Sequence, residues 1–272
     1  MPTSTPTRPF DQTMLRQIIN VFAVIATITV NALANIIPFN GQLTGEISDR
    51  FVVYFVPAGY VFSIWGLIYL ALGAFAVFQA LPSQRDNPLF QKIGYWFALS
   101  CAANAIWIFF WHYNLFVLSL LAMLVLLGSL LVIYLRVNIG KGHGTPTQAE
   151  KWFIHIPFSI YLGWITVATI ANLTDVLEYV EWNRWGLADE VWYLIILGAA
   201  LLITSGVSLL RRDLAYMLVI VWAFVGISVK HAATPIVANP TWGAVGLVVL
   251  VYIIGWANRQ NPPNLKNSAA PR

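Results

Sequence analysis

Apolar runs about twenty residues long recur along the whole chain, and this spacing constrains its fold more than any motif. A run of that length, wound at ~1.5 Å per residue, crosses ~30 Å of hydrocarbon. Charges and turn residues divide the chain into eight candidate spans, near 17 to 37, 56 to 80, 92 to 111, 115 to 135, 153 to 174, 191 to 210, 214 to 233 and 241 to 257. Lipid offers no partner to a backbone amide, so each span is read as a helix. A β-barrel requires short segments that alternate apolar with polar residues, and Leu115 to Leu135 shows no alternation. Only 10% of the residues are charged, against roughly 25% in a soluble domain, which leaves too little polar surface for a water-soluble protein. The fold class is therefore an all-α integral membrane protein of about eight transmembrane helices. The single cysteine, Cys101, rules out an intramolecular disulfide and carries no information on compartment.

Charge tests the count. With both termini inside, the inner segments hold Arg8, Arg16, Arg85, Lys92, Arg136, Lys141, Lys151, Arg211, Arg212, Arg259, Lys266 and Arg272, and the outer ones hold Arg50, Arg184 and Lys230. Twelve basic residues against three is the asymmetry that sets topology, and one miscounted span would scramble it. The net charge of +4 follows from this topology and not from nucleic-acid binding. A bacterial inner membrane with both termini cytoplasmic is the simplest placement. Pro82, Pro88, Pro146, Pro240 and the stretch Gly140 to Gly144 are expected in connections. Ile18 to Val30 followed by Ala32-Leu33-Ala34 has the form of a cleavable signal, but its leader is long and weakly basic, so retention is expected.

Within the spans, residues that do not match lipid carry the information. Asn31 and Asn35 share a face of the first helix, where amides commonly join helices. Gly59, Gly66 and Gly73 recur along one flank of the second, which is read as a helix contact. Trp65 and Tyr69 lie one turn apart, as do Asn104 and Trp107, with Trp111 following. In the fifth span Tyr161, Trp164, Ala168 and Asn172 form a stripe. Trp65, Trp107 and Trp164 sit inside their spans beside small or amide residues, which suits the wall of an apolar cavity as well as an interfacial belt. Every Asp and Glu is assigned to a connection or a span edge, leaving no intramembrane carboxylate.

Three segments together resemble the translocator protein family, also called tryptophan-rich sensory proteins. Pro157 to Asn172, reading PFSIYLGWITVATIAN, resembles the family's fifth-helix pattern P-Y-L-x-W-x-x-x-A-T-x-x-N. Pro57 to Tyr69, reading PAGYVFSIWGLIY, is similar to its second-helix pattern P-P-G-W-V-F-G-x-V-W-x-x-L-Y, and Asn104-Ala105-Ile106-Trp107 to its N-x-x-W. The resemblance implies a five-helix bundle with a hydrophobic pocket for porphyrins, sterols or aromatic ligands. By position, that pocket is lined by Trp65, Asn104, Trp107, Trp164 and Ala168, with Asn172 below. Ala168 leaves room beside Trp164 for the ligand or a partner helix. There are departures from the pattern. One residue is missing between Phe62 and Trp65, which turns Trp65 by ~100° if the helix is unbroken. Ala58 and Tyr60 replace a proline and a tryptophan, the segment after Trp107 is shorter, and Ser119 lies near a position that is often acidic. The motifs cover roughly residues 15 to 175, whereas the family ordinarily has five helices.

The expected organisation is a translocator-like bundle over 1–175, an external acidic and aromatic connection over 176–190, three further helices over 191–258 and a cytoplasmic tail over 259–272. The connection is read as an interfacial anchor or as a lid. His112, His143, His155 and His231 have no metal-ligand spacing, and Gly140 to Thr145 lacks the order of a phosphate-binding loop. No acid, base or nucleophile can be assigned, so enzymatic turnover is left open but is not the leading expectation. The leading function is binding of a hydrophobic, tetrapyrrole- or sterol-like molecule for sensing or transport, with no required cofactor. Alternatives are an ion-coupled transporter using Lys230 and His231, or an assembly subunit of a membrane complex. The expected surroundings are the lipid bilayer and a hydrophobic small molecule, with self-association left open and no nucleic acid.

Overall fold

A computed structural model describes residues 12–141 and 146–260, with backbone alone for 259 and 260. Arg8, Gly142, His143, Gly144, Thr145, Lys266, Arg272 and all but the start of the 259–272 tail lie outside the described residues. The main helices are α1 (Gln12–Ile36), α2 (Ile64–Ala80), α3 (Trp96–His112), α4 (Phe116–Val137), α5 (Ile156–Tyr179), α6 (Asp189–Arg211), α7 (Leu214–Lys230) and α8 (Pro235–Gln260). Six of the eight, counting the turns that lead into α2 and α5, are long and apolar enough to cross a membrane. The other two, α3 and α7, are apolar helices of 17 residues, at the lower end of the spanning range. The chain is an all-α integral membrane protein.

The helices alternate in direction, and their polar ends sort into two groups. At one end Gln17 and Gln79 exchange hydrogen bonds of 2.6 and 3.0 Å, Asn87 donates to Glu150 (3.3 Å), and Arg211 donates to the carbonyl of Ile139 (3.3 Å). At the other end Arg50 donates to Asn114 (2.6 Å) and Lys230 pairs with Asp49 (2.9 Å). Arg184 joins Glu178 and Asp189 there. Arg50, Arg184 and Lys230, the three basic residues set apart by the charge pattern, therefore share one end.

Helix α5 is the centre of the bundle. Two thirds of its apolar window (67%) is buried, against 28 to 44% in the other long helices. It packs on α2 and α4 on one side and on α7 on the other, while α6, α7 and α8 pack on one another. Close approach between α5 and α7 depends on Gly163, whose added Cβ would lie 3.1 Å from Val219. Gly226 of α7 plays the same part against Pro57 and Val61, where the chain enters α2. The flank of Gly59, Gly66 and Gly73 is not a helix contact: nothing lies within 4 Å of a Cβ built on any of them. A seven-residue repeat places glycines on one side of a helix but cannot say which side meets protein.

Other differences concern helix ends. Pro240 lies inside α8 and not in a connection. Loss of one backbone donor is tolerated there because α8 begins only five residues earlier, at Pro235, and membrane helices re-satisfy the freed carbonyl locally. The third span begins at Trp96 because Pro88–Ile93 forms a separate short helix, ended by Gly94 at φ 56°. The helix before Trp65 is not unbroken α-helix, the condition on which a ~100° turn of Trp65 depends. Gly59–Ser63 is a 3-10 helix, which turns ~120° per residue instead of ~100°, so five residues wind about 100° further than an α-helix of the same length.

Gly140 combines φ 78° with a position where a Cβ would lie 2.2 Å from the carbonyl oxygen of Arg211. Gly140→Ala is expected to cost about 1–3 kcal/mol, lowering the thermal midpoint in detergent by several degrees. Gly66→Ala, on an open helix flank, should leave it unchanged or slightly raised.

Candidate functional site

The stripe on α5 carries the polar centre of the bundle. Asn104 of α3 is fully buried and bonded at both ends of its amide: its Oδ1 accepts from Asn31 (2.7 Å), and its Nδ2 donates to the Tyr161 hydroxyl (3.0 Å). One amide thus joins α1, α3 and α5. Asn172 does the same one level away. Its Oδ1 accepts from Trp107 Nε1 (3.2 Å), and its Nδ2 donates to Ser119 Oγ (3.1 Å), joining α3, α5 and α4. Asn35 takes no part between helices, because its amide bonds back to the carbonyl of Asn31 (2.8 Å). The rest of the buried polar face of α1 is built the same way, with Thr27 donating to the carbonyl of Cys101 (2.9 Å).

Of the six residues predicted to line a pocket, the structure forms two groups. Trp65 and Trp164 meet edge to face at 6.1 Å, and Trp65 lies 6.2 Å from Tyr161. Tyr69 stacks on Trp65 at 5.3 Å, and Phe62 closes on Trp164 at 5.7 Å. Asn104 joins this group through Tyr161. Trp107 and Asn172 form the second group, with Trp111 stacked on Trp107 at 5.5 Å. Ala168 lies on α5 between the two, partly buried against the core. Trp164 Nε1 is fully buried without an acceptor. A buried N–H left unpaired costs about 1–3 kcal/mol relative to a bonded one.

The assignment of Asp175 to the connection after the fifth span is corrected. Helix α5 continues to Tyr179, so Asp175 is helical, only 2% exposed, and its Oδ1 has no hydrogen-bond partner. Its spacing of three from Asn172 is a face-sharing interval, and that is the sequence signal that could have found it. Trp182, Trp185 and Trp192 pack edge to face at 4.8–5.9 Å, and Trp182 and Trp192 line a small cavity of about 30 Å³ together with Thr174 and Leu177. The acidic and aromatic connection therefore shortens to 180–188 and folds as a cap.

Lys230 and His231 lie beside this cap. The Lys230 ammonium pairs with the exposed Asp49 (2.9 Å). His231 meets the Tyr54 ring at 5.4 Å, and its Nε2 is buried without a partner. Burial, and then the neighbouring Lys230, lower its pKa below the ordinary imidazole value. Tyr54 donates to Glu190 (3.3 Å), and burial together with that carboxylate raises its pKa.

A much larger crevice, of about 1190 Å³, opens between α2, α5 and α7 and reaches the connection before α5. None of the six predicted residues lines it. Its edge on α5, Ser159 and Ile160, directly precedes Tyr161.

Comparison with curated proteins gave no match, and neither did comparison with solved structures. A family model does match, the one described as TSPO-like protein, over residues 17–254. That interval runs through α6, α7 and most of α8 as well as the motif-bearing helices. By a match over most of its length, the chain belongs to the TSPO-like protein family.

Proposed function

We propose that this protein binds a hydrophobic, largely planar small molecule of the tetrapyrrole or sterol kind against Trp65, Tyr161 and Trp164, for sensing or transport. The observation that carries this reading is the unpaired Trp164 Nε1, a buried donor beside aromatic faces. A planar ligand bearing a carbonyl or carboxylate supplies both the stacking surface and the missing acceptor. Both amides already serve protein partners, so they hold the wall in place while the indoles meet the ligand. Placement in a bacterial inner membrane, with both termini cytoplasmic, is supported by the sorting of basic residues.

Titration of the purified protein with protoporphyrin, read by tryptophan fluorescence, tests this. Saturable quenching at micromolar ligand is expected. Trp164→Phe should weaken it about tenfold, the equivalent of about 1.4 kcal/mol, in a ligand-free variant whose melting temperature shows it folded. Ala168→Leu should weaken it by filling space one turn away. Linear quenching that neither substitution changes sinks the proposal.

A second reading is ion-coupled transport, and buried Asp175 favours it. A buried ionisable group on a candidate spanning helix is the usual form of a coupling site. Under this reading, uptake into vesicles depends on the pH gradient, and Asp175→Asn or Lys230→Ala removes that dependence. Uptake with the same pH profile in both variants rules it out.

A further inference from the structure

The crevice of about 1190 Å³ is graded along its length. Its deep end is lined by Ile64 and Leu67 of α2 and by Leu218 and Trp222 of α7. Leu67 and Leu218 are each 53% exposed, so this end opens sideways, toward lipid. All its charged residues gather at the other end, where Lys92, Lys151 and Arg212 stand with Glu150 and Asp213. From Leu214 to Trp222 the wall rises eight residues, about 12 Å, and from Lys151 to Ile160 nine residues, about 14 Å. The hydrocarbon core is ~30 Å thick, so the apolar part of the crevice is about as deep as one leaflet.

The charges at the mouth are not balanced. Asp213 faces inward: it accepts from the Tyr134 hydroxyl (2.9 Å), from Ser159 Oγ and from the backbone of Tyr216 (3.2 Å). Glu150 accepts from the backbone of Thr147 (2.9 Å) and from Asn87 (3.3 Å). Both carboxylates are thus satisfied by protein donors. Among the described residues Lys92 and Lys151 form no ion pair, and both are exposed. Arg212 is held by one nitrogen only, its Nε on the carbonyl of Gly255 (2.5 Å), which leaves the two terminal nitrogens of its guanidinium available. Trp152 and Trp256 line the same mouth and are 61% and 51% exposed, at the depth where indoles sit among headgroups.

We propose that this crevice seats one anionic membrane phospholipid, its phosphate on Lys92, Lys151 and Arg212 and one acyl chain between α2 and α7 as far as Trp222. Cations at the mouth select an anionic head over a zwitterionic one, and an apolar slot one leaflet deep selects a lipid over a free anion. None of Trp65, Tyr161 and Trp164, the residues of the aromatic wall, lines this crevice.

Native mass spectrometry of the delipidated full-length protein tests this, using phosphatidylglycerol and phosphatidylcholine with matched acyl chains. Phosphatidylglycerol is expected to bind at roughly tenfold lower concentration. Lys92→Gln with Lys151→Gln should reduce that preference to less than about threefold. Leu218→Trp, which fills the slot and leaves the charges in place, should weaken both lipids, and Trp164→Phe should weaken neither. Variants are compared only where their melting temperatures match that of the parent protein. Equal binding of the two lipids, or a preference that survives the double substitution, overturns the proposal. Displacement of the lipid by equimolar glycerol phosphate also overturns it, since the site would then hold a free anion.

Discussion

In a bilayer apolar side chains gain nothing by leaving lipid for protein, so the position of α5 at the centre of the bundle depends on hydrogen bonds and close backbone contact. Two buried amides provide the bonds. Asn104 joins α1, α3 and α5, and Asn172 joins α3, α4 and α5. Gly163 provides the close contact on the opposite side, where Val219 of α7 reaches within 3.1 Å of where a Cβ would stand. Individual interhelical hydrogen bonds are modest, ~0.6 kcal/mol on average in one well-studied membrane protein. They matter here because they fix the rotation of α5, and that rotation decides which residues meet the indole wall.

This arrangement divides labour between residues that sequence patterns treat alike. Asn104 and Asn172 hold helices together, whereas Trp164, on the same stripe as Asn172, keeps a donor without a partner. The last three helices are part of the same system. Gly226 of α7 receives Pro57 and Val61, Trp222 donates to the carbonyl of Val61 (3.1 Å), and the backbone of Ala58 donates to the carbonyl of Gly226 (3.2 Å). The segment that leads into Trp65 is therefore set by contact with a helix that the family's motifs do not reach. Its 3-10 winding leaves carbonyls outside the α-helical ladder, and Trp222 satisfies one of them.

Spans, their alternation and the grouping of basic residues were legible from the chain alone, because hydrocarbon thickness and the absence of water act on composition directly. That Trp65 and Tyr69 share a face of α2, and Tyr161 and Trp164 a face of α5, was also legible, through face-sharing intervals. The reading failed where it needed to know which side of a helix met protein. Gly59, Gly66 and Gly73 face open space, and Gly163 and Gly226, which no repeat singles out, make the contacts. It failed again where burial extended a helix past its apolar run, as at Asp175.

What the sequence by itself determined is the class of the molecule: membrane helices, their approximate limits, which loops share an end, and an aromatic stripe on α5. Hydropathy and charge act locally and additively, so they can be read one segment at a time. Which amides bond to one another, which indole is left unpaired, and the crevice between α2, α5 and α7 were decided by the tertiary structure. Each of these depends on the relative rotation of three or more helices, and no single segment encodes it.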